Sequence, residues 1–286
     1  MVLVTGASGQ VGKHLLRALS AKGIKTRAWI HNEQNEEAVL AEGAAEVFIG
    51  DLTSRQDAAN AMKGVDTVYF ICNAFNPQED EIGANLIDIA KSIRNITFIY
   101  HSVMHSLLSD MPHHQRKQKV EKTLVDSGIP YVIIQPTVFM QMLTPAIQSV
   151  KNGGPFVQKF YTSEQTKISF VDMADYAEAA AEIAASGAYT YGTYEFSSKG
   201  EYSLSDMEEI LSELLGRKVK SAFISNTDFL AVSHRTSDSY EGQTALAMFR
   251  HYNENSFCGN AFTLTNILGR EPVTIKEYFK KALQIE

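Results

Sequence analysis

The sequence predicts an α/β fold, a doubly wound parallel sheet with a smaller, mostly helical C-terminal lobe. Three observations predict it. From residue 1 to about 135, short apolar runs alternate with segments of helical periodicity, as repeated βαβ units do. The first apolar run ends in glycines spaced Gly6-x-x-Gly9-x-x-Gly12. The 286 residues are 44% hydrophobic and 21% charged, an ordinary globular balance that argues against disorder and coiled coil.

Val2-Leu3-Val4 reads as a buried strand. Val11, Leu15 and Leu19 follow at helical spacing, with Gly23 as the stop. Residues 24–30 form the second strand, and an acidic, alanine-containing helix covers about 33–42. Val47-Phe48-Ile49 is the third strand, stopped by Gly50-Asp51, and Thr53 or Ser54 caps a helix to Met62. The stretch 65–71 is nearly all apolar, as expected of a strand covered on both faces. A helix over 79–94, a strand over 96–100, a helix over 116–127 closed by Gly128 and a strand over 131–134 complete this half. Beyond Pro136 the pattern changes. Residues 137–150 read as one helix despite Pro145, Lys151 to Pro155 as a turn, 168–171 as a strand, 172–185 as an alanine-rich helix and 193–196 as a strand. Helices follow at about 204–215, 226–233, 242–253 and 274–284. The expected division is a nucleotide-binding Rossmann core over 1–136 and a substrate-side lobe over 137–286, some of whose segments complete the sheet.

The glycines carry the first chemistry. Gly6 permits the tight turn, Gly9 lets backbone approach a pyrophosphate, and Gly12 lets the helix pack close to the strands. The helix N-terminus offers unpaired N–H groups and partial positive charge to the phosphates. Ser8, Gln10 and Val11 fill the same turn and join the candidate cofactor contacts. A carboxylate at the end of the second strand selects NAD, and a basic residue there accepts the 2′-phosphate of NADP. Arg27-Ala28-Trp29-Ile30-His31-Asn32 holds no acid, so the expected cofactor is NADP, with NAD as the alternative and Arg27 or His31 as the contact. Asp51-Leu52 stands where the adenine amino group would be met; a plain turn former is the competing role for Asp51.

With these residues in view, the chain resembles the NmrA-like branch of the atypical short-chain dehydrogenase/reductase superfamily. Thr5-Gly6-Ala7-Ser8-Gly9-Gln10-Val11-Gly12 is similar to the family's opening, Gly50-Asp51-Leu52 to its G-D-L step and Gly64-Val65-Asp66-Thr67-Val68-Tyr69 to its fourth strand. Arg27 to His31, the run from Lys117 through Glu121 and Leu124 to Ser127-Gly128-Ile129-Pro130-Tyr131, Phe170-Val171-Asp172 and Leu268 to Thr274 extend the resemblance over nearly the whole chain. Members include quinone and dye reductases and redox-sensing regulators, so the resemblance implies NAD(P) binding more firmly than any one reaction. It also implies where this sequence departs. The catalytic superfamily uses Y-x-x-x-K, and counting back from Lys117 the tyrosine position holds His113. Its R-P after the sixth strand is Gln135-Pro136 here, while Ser102 lies near its serine. Lys117, His113 and Ser102 are therefore the catalytic candidates, with Lys117 also a candidate for the nicotinamide ribose.

A lysine lowers a phenol whose pKa starts near ~10, but it pushes an imidazole that starts near ~6.5 still lower. His113 is then a neutral donor and a poor proton source. Hydride transfer to an acceptor that needs little protein-supplied proton, a quinone or cationic dye, survives this objection. Cys72 and Asn73, after the fourth strand, are cofactor candidates, with an inert buried thiol as the other reading of Cys72. Phe75, Phe139, Met140, Phe160 and Phe170 are substrate candidates that ordinary core packing would also explain. His101, His105, His113 and His114 cluster locally without a recognised metal spacing, so no metal is expected. A net charge of −7 argues against nucleic acid. The longest apolar runs fall short of a membrane span, there is no signal-peptide pattern, and two cysteines suit a reducing compartment; a cytoplasmic location follows. The expected function is reduction of a small conjugated acceptor by NAD(P)H. A non-catalytic NADP(H) sensor comes second and a nucleotide-sugar epimerase or dehydratase third.

Overall fold

The computed structural model describes residues 1–158 and 166–285. In order, the chain forms β1 (Val2–Val4), α1 (Gln10–Ala21), β2 (Thr26–Ile30), α2 (Glu36–Ala41), β3 (Glu46–Ile49), α3 (Arg55–Ala61), β4 (Thr67–Phe70), α4 (Glu79–Lys91), β5 (Thr97–His101), α5 (Pro112–Asp126) and β6 (Tyr131–Pro136). There follow β7 (Val138–Phe139), α6 (Thr144–Lys151), β8 (Phe156–Gln158), β9 (Phe170–Val171), α7 (Met173–Ala185) and β10 (Gly192–Phe196). The last elements are α8 (Leu204–Leu215), β11 (Ser221–Phe223), α9 (Asn226–Val232), α10 (Tyr240–Asn255), α11 (Phe262–Leu268) and α12 (Ile275–Leu283).

The described chain separates into two compact units, neither of them continuous in sequence. The first comprises Met1–Ser109, His113–Pro136 and Met173–Glu195, and the second comprises Asp110–Pro112, Thr137–Asp172 and the chain from Phe196 on. The principal sheet runs β10-β6-β5-β4-β1-β2-β3. Its inner pairs are parallel, with Val4 opposite Ala28 on one side and Tyr69 on the other. Hydrogen bonds from Tyr191 N to Tyr131 O (2.6 Å) and from Thr137 N to Phe196 O (3.0 Å) align β10 with β6 in the same direction. Strand order reverses between β1 and β4, which creates the crevice where doubly wound folds take ligands.

Burial explains the strand composition. Leu3, Val68, Phe70, Phe98, Tyr100 and Ile133 are all at most 2% exposed and share one cluster with Val120 and Leu124 of α5. Phe70 stacks on Tyr100 at 5.4 Å between ring centroids and meets Phe98 edge-on at 6.2 Å. On the sheet's flank α7 packs against α1. Its buried Ala177, Ala180 and Ala181 let the two helices lie close, and Lys22 pairs with Glu182 at 2.6 Å.

In the second unit two pairs of short strands run parallel, β11 with β8 and β7 with β9. The helix expected over residues 137–150 is divided: Val138 and Phe139 pair with Phe170 and Val171, a single 3-10 turn covers Met140–Leu143, and α6 begins at Thr144. Pro145 falls in the first turn of α6, the one place in a helix where a missing N–H costs nothing. Helix α11 and the β8–β11 pair have no counterpart in the sequence reading. No helix among the described residues is long and apolar enough to cross a membrane.

Candidate functional site

The glycine loop between β1 and α1 is a backbone cradle. Gly6 has a φ of +58°, and a Cβ there would stand 3.0 Å from the carbonyl oxygen of Ile71. A Cβ on Gly12 would stand 2.4 Å from the oxygen of Gly6 and 2.7 Å from Cα of Ala7, so only glycine lets α1 seat against the turn. Gly9 is the N-cap, with no side-chain cap, and no acidic residue occupies the first helical turn. The amides of the loop and first turn therefore face the crevice with the positive end of the helix dipole behind them. Thr5 Oγ1 donates to the carbonyl of Ile71 and accepts from its amide, both at 2.8 Å, and so locks the end of β1 to the end of β4. Ser8 and Val11 are half-buried and Gln10 is exposed along this loop. An anionic pyrophosphate fits this donor set.

Along the C-terminal ends of β2 and β3, His31 and Asp51 are exposed and Leu52 is half-buried. Asp51 Oδ1 accepts from the amide and hydroxyl of Thr53, each at 2.8 Å. These bonds hold its carboxyl below the usual carboxylate range, helped by the nearby His31. The expectation for Arg27 is corrected. Its guanidinium pairs with Glu46 and donates to the carbonyls of Ala61 (2.5 Å) and Lys63 (2.8 Å). It is consumed near the start of β2, at the wrong end of the strand for a ligand in the crevice.

Beyond β4, Cys72 is buried, and burial followed by the Glu79 charge pushes its thiol up to about 12. That thiol stays protonated and inert. Asn73 is exposed and its Oδ1 accepts from the amide of Phe75 at 3.1 Å, a small turn that sets Phe75 edge-on to His113 at 6.1 Å.

The catalytic candidates sit in two buried networks. In the first, Lys117 Nζ donates to Glu79 Oε1 (2.7 Å) and to the carbonyl of His101 (3.3 Å), and Tyr100 donates to the same Glu79 oxygen at 2.8 Å. The Lys117 and Glu79 side chains are 3% and 1% exposed. Lys117 is thus a buried counter-ion to a residue the sequence reading missed, and only its third N–H remains for a ribose. In the second, Glu121 accepts from Ser102, from Ser106 at 2.6 Å and from Gln135 Nε2 at 2.7 Å. Ser102 gives its proton to Glu121, so the hydroxyl of this catalytic candidate is engaged within the protein. His113 is buried at 5% exposure, and its Nδ1 has no hydrogen-bond partner among the described residues. Burial, then His114 and Lys117, bring its pKa down to about 2, so it is a neutral ring at any working pH.

A third group was not foreseen. His101, at the end of β5, meets the Tyr176 hydroxyl of α7 through Nδ1 at 2.5 Å, and Tyr176 meets the Tyr69 hydroxyl at 2.8 Å. Tyr176 follows Asp172 in an alanine-rich helix, and nothing local in the sequence ties it to a strand 75 residues earlier.

The remaining substrate candidates belong to the second unit. Phe139 is half-buried, Met140 is fully buried and Phe170 is 1% exposed; Met140 and Phe170 are core residues. Phe160 lies outside the described residues. Among the described residues no three His, Cys, Asp or Glu side chains gather to hold a metal ion.

A parallel sheet whose first strand runs into a glycine cradle at the point of strand-order reversal defines a Rossmann-type dinucleotide-binding protein. More narrowly, the chain belongs to the NmrA-like family, whose profile matches residues 1–279. It is 24% identical over 233 residues to quinone oxidoreductase 2 of Escherichia coli strain K12, covering 81% of this chain and 80% of that one. It is likewise 24% identical over 229 residues to an NAD(P)H azoreductase of Xenophilus azovorans, covering 77% and 76%. The fold superposes on the Citrobacter sp. triphenylmethane reductase complexed with NADP(H) with a TM-score of 0.82, at 20% identity over 98% of this chain and 99% of that one.

Proposed function

We propose that the chain binds NADP(H) in the glycine cradle and passes a hydride to a small, flat, conjugated acceptor such as a quinone, an azo compound or a cationic dye. The observation that carries this reading is the cradle: a loop that no side chain at Gly12 could share, with uncapped amides at its mouth. The NAD(P)H in the name of the X. azovorans azoreductase and the NADP(H) bound to the Citrobacter reductase agree with it. With Arg27 diverted to Glu46, His31 is the group at the end of β2 for the 2′-phosphate, and Asp51 the acceptor for the adenine amine. When bound, the cofactor supplies the hydride; the protein binds it, orients it and shields it from water.

Neither Lys117, buried against Glu79, nor the neutral His113 is suited to deliver a proton, which favours acceptors that take theirs from water. The same two features favour the second reading, a sensor of the NADPH/NADP ratio. Calorimetry with NADPH and NADH, paired with loss of NADPH absorbance against a panel of quinones, azo compounds and triphenylmethane dyes, separates the readings. Tighter binding of NADPH with turnover is expected. Binding without turnover across the panel replaces the reductase with the sensor, and no binding of either nucleotide removes both.

A further inference from the structure

Glu79 meets two donors with one oxygen and none with the other. Its Oε1 accepts from Lys117 Nζ at 2.7 Å and from the Tyr100 hydroxyl at 2.8 Å. Its Oε2 is buried and has no hydrogen-bond partner among the described residues. Both side chains of the ion pair are at most 3% exposed. A glutamine would accept from the same two donors and bring no charge to bury. A buried ion pair is also weak evidence for stability, because desolvation offsets the attraction. What the carboxylate adds at this place is charge.

The sheet of the first unit defines the place. Lys117 Nζ also donates to the carbonyl of His101 at the end of β5. Phe70 pairs with Tyr100, so that end stands level with Ile71, the residue beneath Gly6, one strand away at about 4.8 Å. Cys72 follows Ile71 and senses both charges: after burial, Glu79 pushes its thiol up, and Lys117 opposes that push. The pair therefore flanks the cradle on the β4–β5 side, while His31 and Asp51 follow β2 and β3 on the other. A dinucleotide laid across the strand-order reversal with its adenine on Asp51 has its nicotinamide half on the side of the pair. Glu121, one turn beyond Lys117 on α5, brings a second carboxylate there, held by Ser102, Ser106 and Gln135.

We propose that Glu79 is a positioning and charge-balancing residue for the cofactor's redox state: by cancelling the Lys117 charge beside the nicotinamide half, it spares the oxidised, cationic ring from repulsion and makes bound NADPH a better hydride donor. This rests on the NADP(H)-binding reading above. As the hydride, a proton with two electrons, breaks from the nicotinamide carbon and bonds to the acceptor, the ring left behind becomes a cation. At an effective dielectric of about 20, one unit charge acting on another over about 12 Å shifts an equilibrium by about tenfold. A contact of Lys117 with the ribose touches both redox forms alike, so it cancels from the ratio of their affinities.

Calorimetry of the full-length protein with NADPH and with NADP⁺ tests the assignment without turnover. The readout is the Kd of NADP⁺ divided by that of NADPH, which reports the potential of the bound couple. Glu79→Gln keeps an acceptor for Lys117 and Tyr100 and is expected to raise the ratio about tenfold. Lys117→Met leaves the carboxylate unopposed and is expected to lower it by a similar factor. Lys117→Met with Glu79→Leu removes both charges and is expected to bring it back close to the wild-type value. A merely structural loss weakens both forms together and cannot move the ratio in opposite directions. A ratio unchanged in Glu79→Gln, or moved the same way by both single substitutions, overturns the proposal. Should Glu79→Gln not fold, a Lys117→Met ratio that fails to drop, or a double variant that fails to restore it, overturns it equally. A wild type that binds neither nucleotide fails the cofactor reading instead.

Discussion

At the scale of single residues, two imidazoles, one buried and one half-buried, give the protein an acid sensitivity that can be measured. His113 and His101 titrate at about 2 and about 3 in the folded chain, against about 6.5 unfolded. Below pH 6.5 the unfolded state therefore binds more protons than the native one, and stability falls as pH falls. Carboxylates held low act only at lower pH: against its burial, Lys119 and Arg116 hold Asp80 below the ordinary range. A loss between pH 6.5 and 4.5 is therefore expected from these two histidines. Urea unfolding at pH 7.5 and 5.5 is expected to show it, with His113→Leu recovering about 1 kcal/mol at the lower pH. A slope unchanged by that substitution would return the effect to other groups. The Lys117–Glu79 pair gives a second expectation. Lys117→Met strands a buried carboxylate and is expected to cost about 3–5 kcal/mol, while Lys117→Met with Glu79→Leu recovers most of it; equal losses in both proteins would mean the pair is not the source.

At the scale of elements, the cradle depends on how closely α1 seats on the turn. Gly12→Ala sets a methyl 2.4 Å from the Gly6 oxygen, so helix or loop must move. The expected outcome is a loss of about 1–3 kcal/mol in stability and weaker NADPH binding by calorimetry; unaltered affinity would mean the loop contributes little to the phosphates. This element was legible in the sequence because its three glycines, strand and helix lie within twenty consecutive residues, 2–21, where periodicity and turn chemistry act locally. His101 with Tyr176, and Lys117 with Glu79, were not. Each pair joins elements far apart in the chain, 75 and 38 residues, and reading the sequence reveals neither a partner's identity nor which face of a strand a ring takes. Arg27 was misplaced for a related reason. A strand's two ends differ by a few residues in sequence but by its whole length in space, and Glu46, its register partner on β3, reaches it at the far end.

At the scale of the whole molecule, the first unit is assembled from three stretches of chain. α7 and β10 return to it after an excursion of some thirty-six residues, Thr137–Asp172, that belongs to the second unit. A chain ending at Pro136 keeps all six early strands but leaves bare the face of α1 that α7 covers and the edge of β6 that β10 pairs. Such a fragment is expected to be poorly soluble and to melt without cooperativity, and a sharp thermal transition for it would show the six strands to be self-sufficient. The return of α7 also orders events during synthesis. The glycine loop leaves the ribosome early, yet the alanine-rich helix that braces α1 emerges some 160 residues afterwards, so for several seconds of translation the nascent cradle stands on an unsupported helix that folding factors can reach.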